Sequence, residues 1–353
     1  MTGRAPRQSF AARVIEWQRQ HGRRELPWQN TRDPYRVWLS EIMLQQTQVA
    51  AVLAYYPRFL ERFPDVALLA AASQDEVLAL WSGLGYYSRA RNLHRCAQAV
   101  VAAHGGVFPS SSDQLAQLPG IGRSTAAAIA AFCHGERVAI LDGNVKRVLT
   151  RALGFGGDLA LAAQERQLWA VAEDLLPPSG IEAYTQGMMD LGATVCLARA
   201  PRCTACPLRT DCVAAQAGTQ QDYPVKTRKL KRGQREHLWL WLQRGDQLWL
   251  ERRADTGVWA GLWSLPEFES ELAFESARGD WPGTGECLPS FKHVLTHLDW
   301  TLHPLRWTLP AQMSAARLRA VTERLPAGRW FGLDDALAAG LPAPLRKLLS
   351  SSV

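Results

Sequence analysis

The period of the hydrophobic pattern changes once along the chain, and that change limits the fold more than any other feature. Up to about residue 216, apolar residues recur at helical spacing. Val49, Val52, Leu53, Tyr56, Phe59 and Leu60 form one stripe, Leu93, Cys96, Ala97, Val100 and Val101 another, and Val145, Val148, Leu149, Ala152 and Leu153 a third. Gly83-Leu84-Gly85, Gly105-Gly106, Pro119-Gly120 and Pro177-Pro178 punctuate them, so residues 1–216 read as an all-α region of about ten helices. Beyond it the period becomes two: Leu238 to Leu242 and Leu248 to Leu250 flank the turn Arg244-Gly245-Asp246, and Leu298, Trp300 and Leu302 alternate with polar residues. This predicts a separate α/β domain over residues 236–353, rich in strands, with late helices near 313–324 and 334–349. Between the two, residues 217–235 turn small and polar and then basic, with Lys226, Arg228, Lys229, Lys231, Arg232 and Arg235. That linker reads either as a solvated tether or as a strip lying along nucleic-acid phosphates.

A length of 353 residues suits two domains that each bury a core, and no apolar run approaches the ~20 residues that span a bilayer. The start carries Arg4, Arg7 and Arg13 without an apolar signal core, and Phe10, Val14 and Trp17 follow helical spacing instead, so a cytoplasmic protein is expected. Forty Lys and Arg against thirty-three Asp and Glu give a net charge of +7, which favours a polyanionic partner. Of seven cysteines, Cys96, Cys133 and Cys287 stand alone, whereas Cys196, Cys203, Cys206 and Cys212 crowd into one stretch. Four thiolates suit tetrahedral zinc or an iron–sulfur cluster. Zinc ribbons pair two Cys-x-x-Cys knuckles, and here only Cys203 and Cys206 make one, which favours iron–sulfur. Arg199, Arg202 and Arg209 among the cysteines either contact phosphates or offset thiolate charge.

Leu118-Pro119-Gly120-Ile121-Gly122, followed by Arg123-Ser124-Thr125 and an Ala-rich helix, places two glycines in a tight turn at a helix start. Gly120 and Gly122 would leave backbone N–H groups open to a phosphate of any sequence, although a turn made only for packing has the same pattern. Downstream, the apolar run Val138 to Leu141 ends at Asp142-Gly143-Asn144, where a further helix begins, and Asp142 or Asn144 would serve as its N-cap. Together the hairpin, the Asp and the four cysteines resemble the helix–hairpin–helix DNA glycosylases. The run Trp38-Leu39-Ser40-Glu41-Ile42-Met43-Leu44-Gln45-Gln46-Thr47-Gln48-Val49, with Gly83-Leu84-Gly85-Tyr86-Tyr87-Ser88-Arg89-Ala90-Arg91-Asn92-Leu93, is similar to the adenine-excising branch of that family. The last third is similar in layout to the Nudix-like domain of that branch. It has no run like the acidic box of Nudix hydrolases, so nucleotide hydrolysis there is not expected.

The resemblance implies a [4Fe-4S] cluster on Cys196, Cys203, Cys206 and Cys212, and double-stranded DNA containing adenine opposite 8-oxoguanine or guanine as partner, bound by a monomer. It implies that Glu41 protonates adenine at N7 and later helps activate water, that Asp142 stays ionised to stabilise the sugar cation, and that Asn144 orients the Asp or the water. Removing a base requires both a better leaving group and charge stabilisation on the sugar, which two carboxyls in opposite protonation states supply. Arg24, Leu26, Trp28, Leu44 and Gln186 are assigned by resemblance to the adenine pocket, and Gln46 and Tyr86 to the gap near the opposing purine. Phe291 to Leu298 resembles the strand and loop that read 8-oxoguanine, with Thr296 and His297 as contacts and Leu295 where an aromatic is usual. Bifunctional relatives carry a Lys at the position of Ser124, so a strand-cleaving lyase is disfavoured. A non-catalytic lesion-binding protein, for which Glu41 and Asp142 would be structural, is the alternative from a different class.

Overall fold

The computed structural model describes residues 9–227 and 231–351. Arg4 and Arg7, and Arg228 and Lys229 of the basic linker, lie outside the described residues. The chain divides into two compact units, Met1–Ala70 with Arg95–Lys229 and Ala71–His94 with Leu230–Val353.

Up to Ala217 the described residues form twelve α-helices, three of them only four to six residues long. Their ends follow local chemistry: Asp33 caps Pro34–Leu44, where Pro34 occupies the first turn without wasting a donor, and Asp142 caps Gly143–Leu153. Gly135 and Gly154, at φ 67° and 66°, end Arg123–His134 and Gly143–Leu153 in the left-handed conformation. The helical core gathers Val14, Ala127, Ala128, Leu141, Val145, Val148, Leu149, Leu168, Met188 and Leu191. Of the third sequence stripe, Val145, Val148, Leu149 and Ala152 are buried, while Leu153 stays 39% exposed at its edge. Leu53 and Val101 are likewise exposed, because the apolar stripe is wider than the contact it makes.

In the second unit, eight strands form one mixed sheet: β1 (Gly233–Arg244), β2 (Gln247–Arg252), β3 (Trp263–Ser264), β4 (Glu267–Phe268), β5 (Thr284–Cys287), β6 (Phe291–Val294), β7 (Leu298–Leu309) and β8 (Gly328–Gly332). β1 and β7 pair in parallel along twelve residues, and the other pairings are antiparallel. The β1–β7 register sets Leu240 beside Leu305 and Leu242 beside Trp307 on one face, which packs with Phe274 and Val321 of the helices Glu271–Arg278 and Ala315–Thr322. Trp239, Trp241 and Trp300 are buried on the other face, so the centre of the sheet is covered on both sides, as a continuous apolar run such as Leu238–Leu242 requires.

Three boundaries differ from the sequence reading. The expected helix near 334–349 is two helices, Leu333–Ala338 and Ala343–Ser350, broken where Pro342 cannot continue the first. The linker is not a tether throughout: Leu159 N–H donates to Val225 O at 3.1 Å, Thr227 Oγ1 donates to Asp158, and β1 already begins at Gly233. Residues 71–94, read as part of the helical region, group with the sheet. There Ser82 Oγ and Tyr87 Oη both donate to Leu341 O, and Arg91 Nη1 donates to Ala260 O at 2.7 Å. These side chains satisfy carbonyls far along the chain, which no local pattern announces.

The burial contrast is testable. Leu149→Ala is expected to lower unfolding free energy by about 2–5 kcal/mol and Leu153→Ala by no more than about 0.5 kcal/mol, compared by urea titration.

Candidate active site

In the helical unit a cleft of roughly 1470 Å³ gathers residues from five separate segments. It is lined by Arg24, Leu26 and Trp28, by Glu41, Leu44 and Gln46, by Ser124, by Asp142 and Asn144, and by Gln186. All ten of these sequence-expected residues therefore share one wall or another of the same space. Gly120 and Gly122 are exposed outside it, at the start of Arg123–His134, where no side chain caps the helix. Trp28 is buried edge-on against Tyr56, with ring centres 5.4 Å apart, and still lines the cleft.

Glu41 is carried by Pro34–Leu44, a helix whose neighbouring Val37, Trp38, Leu39, Ser40, Ile42 and Met43 are all buried. Loss of water pushes its carboxyl up to about 8, and the charge of Asp142 adds to the rise. At neutral pH Glu41 therefore holds its proton. Asp142 accepts the Val145 N–H at 2.8 Å as N-cap, so capping and facing the cleft are one position. Burial raises its pKa above the ordinary aspartate value, opposed by the N–H groups of Val145 and Asn144 and by the charges of Arg147 and Lys146. The helix N-terminus moderates desolvation here; it does not overcome it. Ser124 Oγ accepts the Leu141 N–H at 3.0 Å, tying the hairpin helix to the residue just before Asp142.

The four clustered cysteines line one small cavity with Arg151, Val195, Pro201, Arg209, Ala215 and Gln220. Arg151, 2% exposed, donates from Nη1 to Cys196 Sγ at 3.5 Å and to Leu197 O at 2.6 Å. Gln220 Nε2 donates to Cys203 Sγ at 3.6 Å. Burial, opposed by the Leu208 N–H and joined by the other three cysteines, pushes the Cys206 thiol up to about 11. Such crowding disfavours four free thiolates and suits a cationic inorganic group. Among the described residues, no three His, Cys, Asp or Glu side chains gather tightly enough to hold a single metal ion. Of the arginines noted in sequence, Arg199 and Arg202 are exposed and only Arg209 lines the cavity; the sulfur contact is made by Arg151.

Residues 39–173 match the model of the HhH-GPD superfamily of base excision DNA repair proteins, and residues 237–351 match the NUDIX domain model. The chain is similar to the adenine DNA glycosylase of Buchnera aphidicola subsp. Acyrthosiphon pisum (strain APS), 35% identical over 97% of both chains. The chain belongs to the adenine DNA glycosylase family. It is also similar to the human adenine DNA glycosylase, 30% identical over 96% of this chain and 73% of that one. Among solved structures it resembles a thermostable thymine-DNA glycosylase, with TM-score 0.53 and 27% identity over 59% of this chain and 95% of that one.

Three supports of this glycosylase's cleft escaped the sequence reading. Arg147 donates to Asn144 Oδ1 at 2.8 Å, to Gly192 O at 2.6 Å and to Cys196 O at 2.7 Å. Gly192 sits in a π-helical turn, Leu191–Val195, and a Cβ there would lie 2.4 Å from Asn144 Cβ. Asp190, fully buried, accepts from Gln186 Nε2 at 2.9 Å and pairs with Arg23 at 2.7 Å. The only advance sign was Arg147 itself, a cation one turn beyond Asn144 on the same helical face.

In the sheet-bearing unit, Tyr86 Oη and Thr296 Oγ1 are 3.1 Å apart. Tyr86 is exposed at φ 49°, following Gly83 and Gly85, which also have positive φ. Trp81 Nε1 and Arg89 Nη2 both donate to Gly85 O and hold this turn. Thr296 and His297 are the exposed tip of the β6–β7 hairpin, closed by Leu295 N–H donating to Leu298 O at 2.8 Å.

Gly192→Ala is expected to push Asn144 out of place and reduce base excision at least tenfold, or about 1.4 kcal/mol of transition-state stabilisation, without loss of helical content by circular dichroism. Unchanged single-turnover excision would contradict this packing argument.

Proposed function

We propose that the protein is a monofunctional DNA glycosylase that hydrolyses the N-glycosidic bond of adenine mispaired with 8-oxoguanine or guanine in double-stranded DNA. The observation that carries the reading is the pairing of Glu41, protonated at neutral pH, with Asp142 across one cleft. Adenine must leave the base stack to reach such a cleft. Glu41 then donates its proton to N7, which lets the base depart with the bonding electrons. Asp142 in its ionised form stabilises the oxocarbenium-like sugar, and Glu41, now a carboxylate, draws a proton from the water that adds to it. Asn144, fixed by Arg147, orients the acceptor side. Ser124 offers no amine for a Schiff base and acts as a backbone support, which favours hydrolysis over lyase chemistry. Tyr86, Gln46, Thr296 and His297 serve the opposing purine, and the turn of Gly120 and Gly122, whose helix start no side chain caps, serves a phosphate.

The four cysteines fit a [4Fe-4S] cluster. The four sulfurs line one small cavity beside Arg151, a setting that suits an iron–sulfur group held by four thiolates. When bound, the cluster would accept the four cysteine thiolates at iron and so cross-link the loop of residues 196–212. Among the described residues no helix is long and apolar enough to cross a membrane. A DNA-bound monomer in the cytoplasm is the corresponding cellular state.

Purified protein should open a duplex bearing one adenine opposite 8-oxoguanine only after hot alkali. Cleavage without alkali would restore the lyase reading, and tight binding without cleavage the non-catalytic one. Because Glu41 acts as an acid whose pKa is raised, the single-turnover rate should fall as pH rises through about 8. Glu41→Gln and Asp142→Asn should abolish excision while DNA binding persists. Iron in stoichiometric amount with absorbance near ~400 nm is expected of the cluster; a colourless protein with one zinc would overturn that assignment.

A further inference from the structure

Trp259 lies in the left-handed region at φ 59°, a conformation that a bulky side chain rarely adopts. A residue needed only to fill the core would be free to relax, or would be glycine. Here the ring is 6% exposed and stacks on Trp300 of β7 at 4.7 Å and 18°. It lies 5.9 Å from Trp239 of β1 and 5.4 Å from His293 of β6. His293 and Trp300 are paired across the β6–β7 hairpin, whose tip carries Thr296. The ring of Trp259 thus supports the hairpin just below its reading tip. Its backbone is gripped from other directions: Arg253 Nε donates to Val258 O at 3.0 Å, and that guanidinium is itself held by Glu267 and Glu251. The next carbonyl, Ala260 O, accepts from Arg91 Nη1 at 2.7 Å, on the helix that begins directly after Tyr86. Gly261, at φ 74°, brings the loop close to Gln74 and Leu78.

One loop therefore touches the Thr296 hairpin with a side chain and the Tyr86 segment with a carbonyl. We infer that Trp259 is a positioning residue for recognition of the base opposite adenine: its strained backbone, its stack on Trp300 and its contact with His293 set the spacing that brings Tyr86 Oη to Thr296 Oγ1. The inference rests on the proposed role of Tyr86 and Thr296 in reading that purine. Trp259 is buried and acts through the two elements it joins.

The test combines two readouts on the full-length protein. Hydrogen–deuterium exchange without DNA follows residues 83–86 and 293–300, and single-turnover excision gives the preference for 8-oxoguanine over guanine opposite adenine. Trp259→Gly, which removes the ring and permits the backbone angle, should speed exchange in both segments and lower the preference about fivefold, the discrimination one hydrogen bond commands. Thr296→Ala should lower the preference to a similar degree. Should Trp259→Gly not fold, Arg91→Met breaks the same link from its other end with the stack intact, and Trp259→Phe, which keeps a ring, should retain more of the preference. Unchanged exchange in both segments, with the preference lost in Thr296→Ala but kept in Trp259→Gly, would overturn the inference. Faster exchange with the preference kept in both variants would uphold the positioning and sink the proposed role of Tyr86 and Thr296 instead.

Discussion

One guanidinium holds the catalytic end of the helical unit together. Arg147 reaches Asn144 with one nitrogen and the carbonyls of Gly192 and Cys196 with the same and a second, so the Asp142 turn, the π-helical turn and the first cysteine are fixed to a common plane. Arginine suits this task because its donors form a rigid planar fork, whereas lysine would offer a single mobile point. Burial lowers the pKa of Arg147, but Cys196 and Asp142 oppose that shift, and a guanidinium keeps its charge across the neutral range. The glycine at position 192 is what lets the two turns approach closely enough for one residue to bridge them.

That bridge matters because it holds Asp142 beside the cleft that Glu41 also lines, where the two carboxyls sit in unlike environments. Glu41 is embedded in a helix that is buried on almost every side, and nothing nearby stabilises its anion. Asp142 is also desolvated, yet two backbone N–H groups and two cations face it. The donors and cations facing Asp142 oppose its desolvation, whereas at Glu41 desolvation is joined by the charge of Asp142. A shift of the Asp142 turn away from its helix start would erase the contrast.

The fold class was legible because the hydrophobic period changes and because Gly and Pro breaks, with Asp142 as an N-cap, mark helix ends in the sequence. The cleft residues were legible only through the resemblance: nothing about the spacing of Arg24, Glu41, Ser124, Asp142 and Gln186 reveals that they meet. What stayed hidden shares one character. Gly192 and Arg151, and Asp190 in its pairing with Arg23, act through contacts 45 or more residues away in sequence, or through the absence of a side chain, and local pattern carries no trace of either. The same holds for residues 71–94, whose helical periodicity is correct but whose partners lie in the sheet-bearing unit. Local sequence states the form of an element; it does not state its neighbour.

The composition of that second unit has a consequence for how the chain is made. Ser82 and Tyr87 find their acceptor, Leu341 O, 259 and 254 residues downstream, and Arg91 finds Ala260 O 169 residues downstream. On a ribosome adding about 5–20 residues per second, the 71–94 segment therefore waits roughly 10–50 s before its partners exist. During that interval Leu78, 1% exposed in the finished protein and close to Gly261 and Gly340, lacks those neighbours. The segment that carries Tyr86 is thus among the first parts synthesised and among the last to reach its final packing, which makes nascent chains of intermediate length natural clients for chaperones that shield apolar surface.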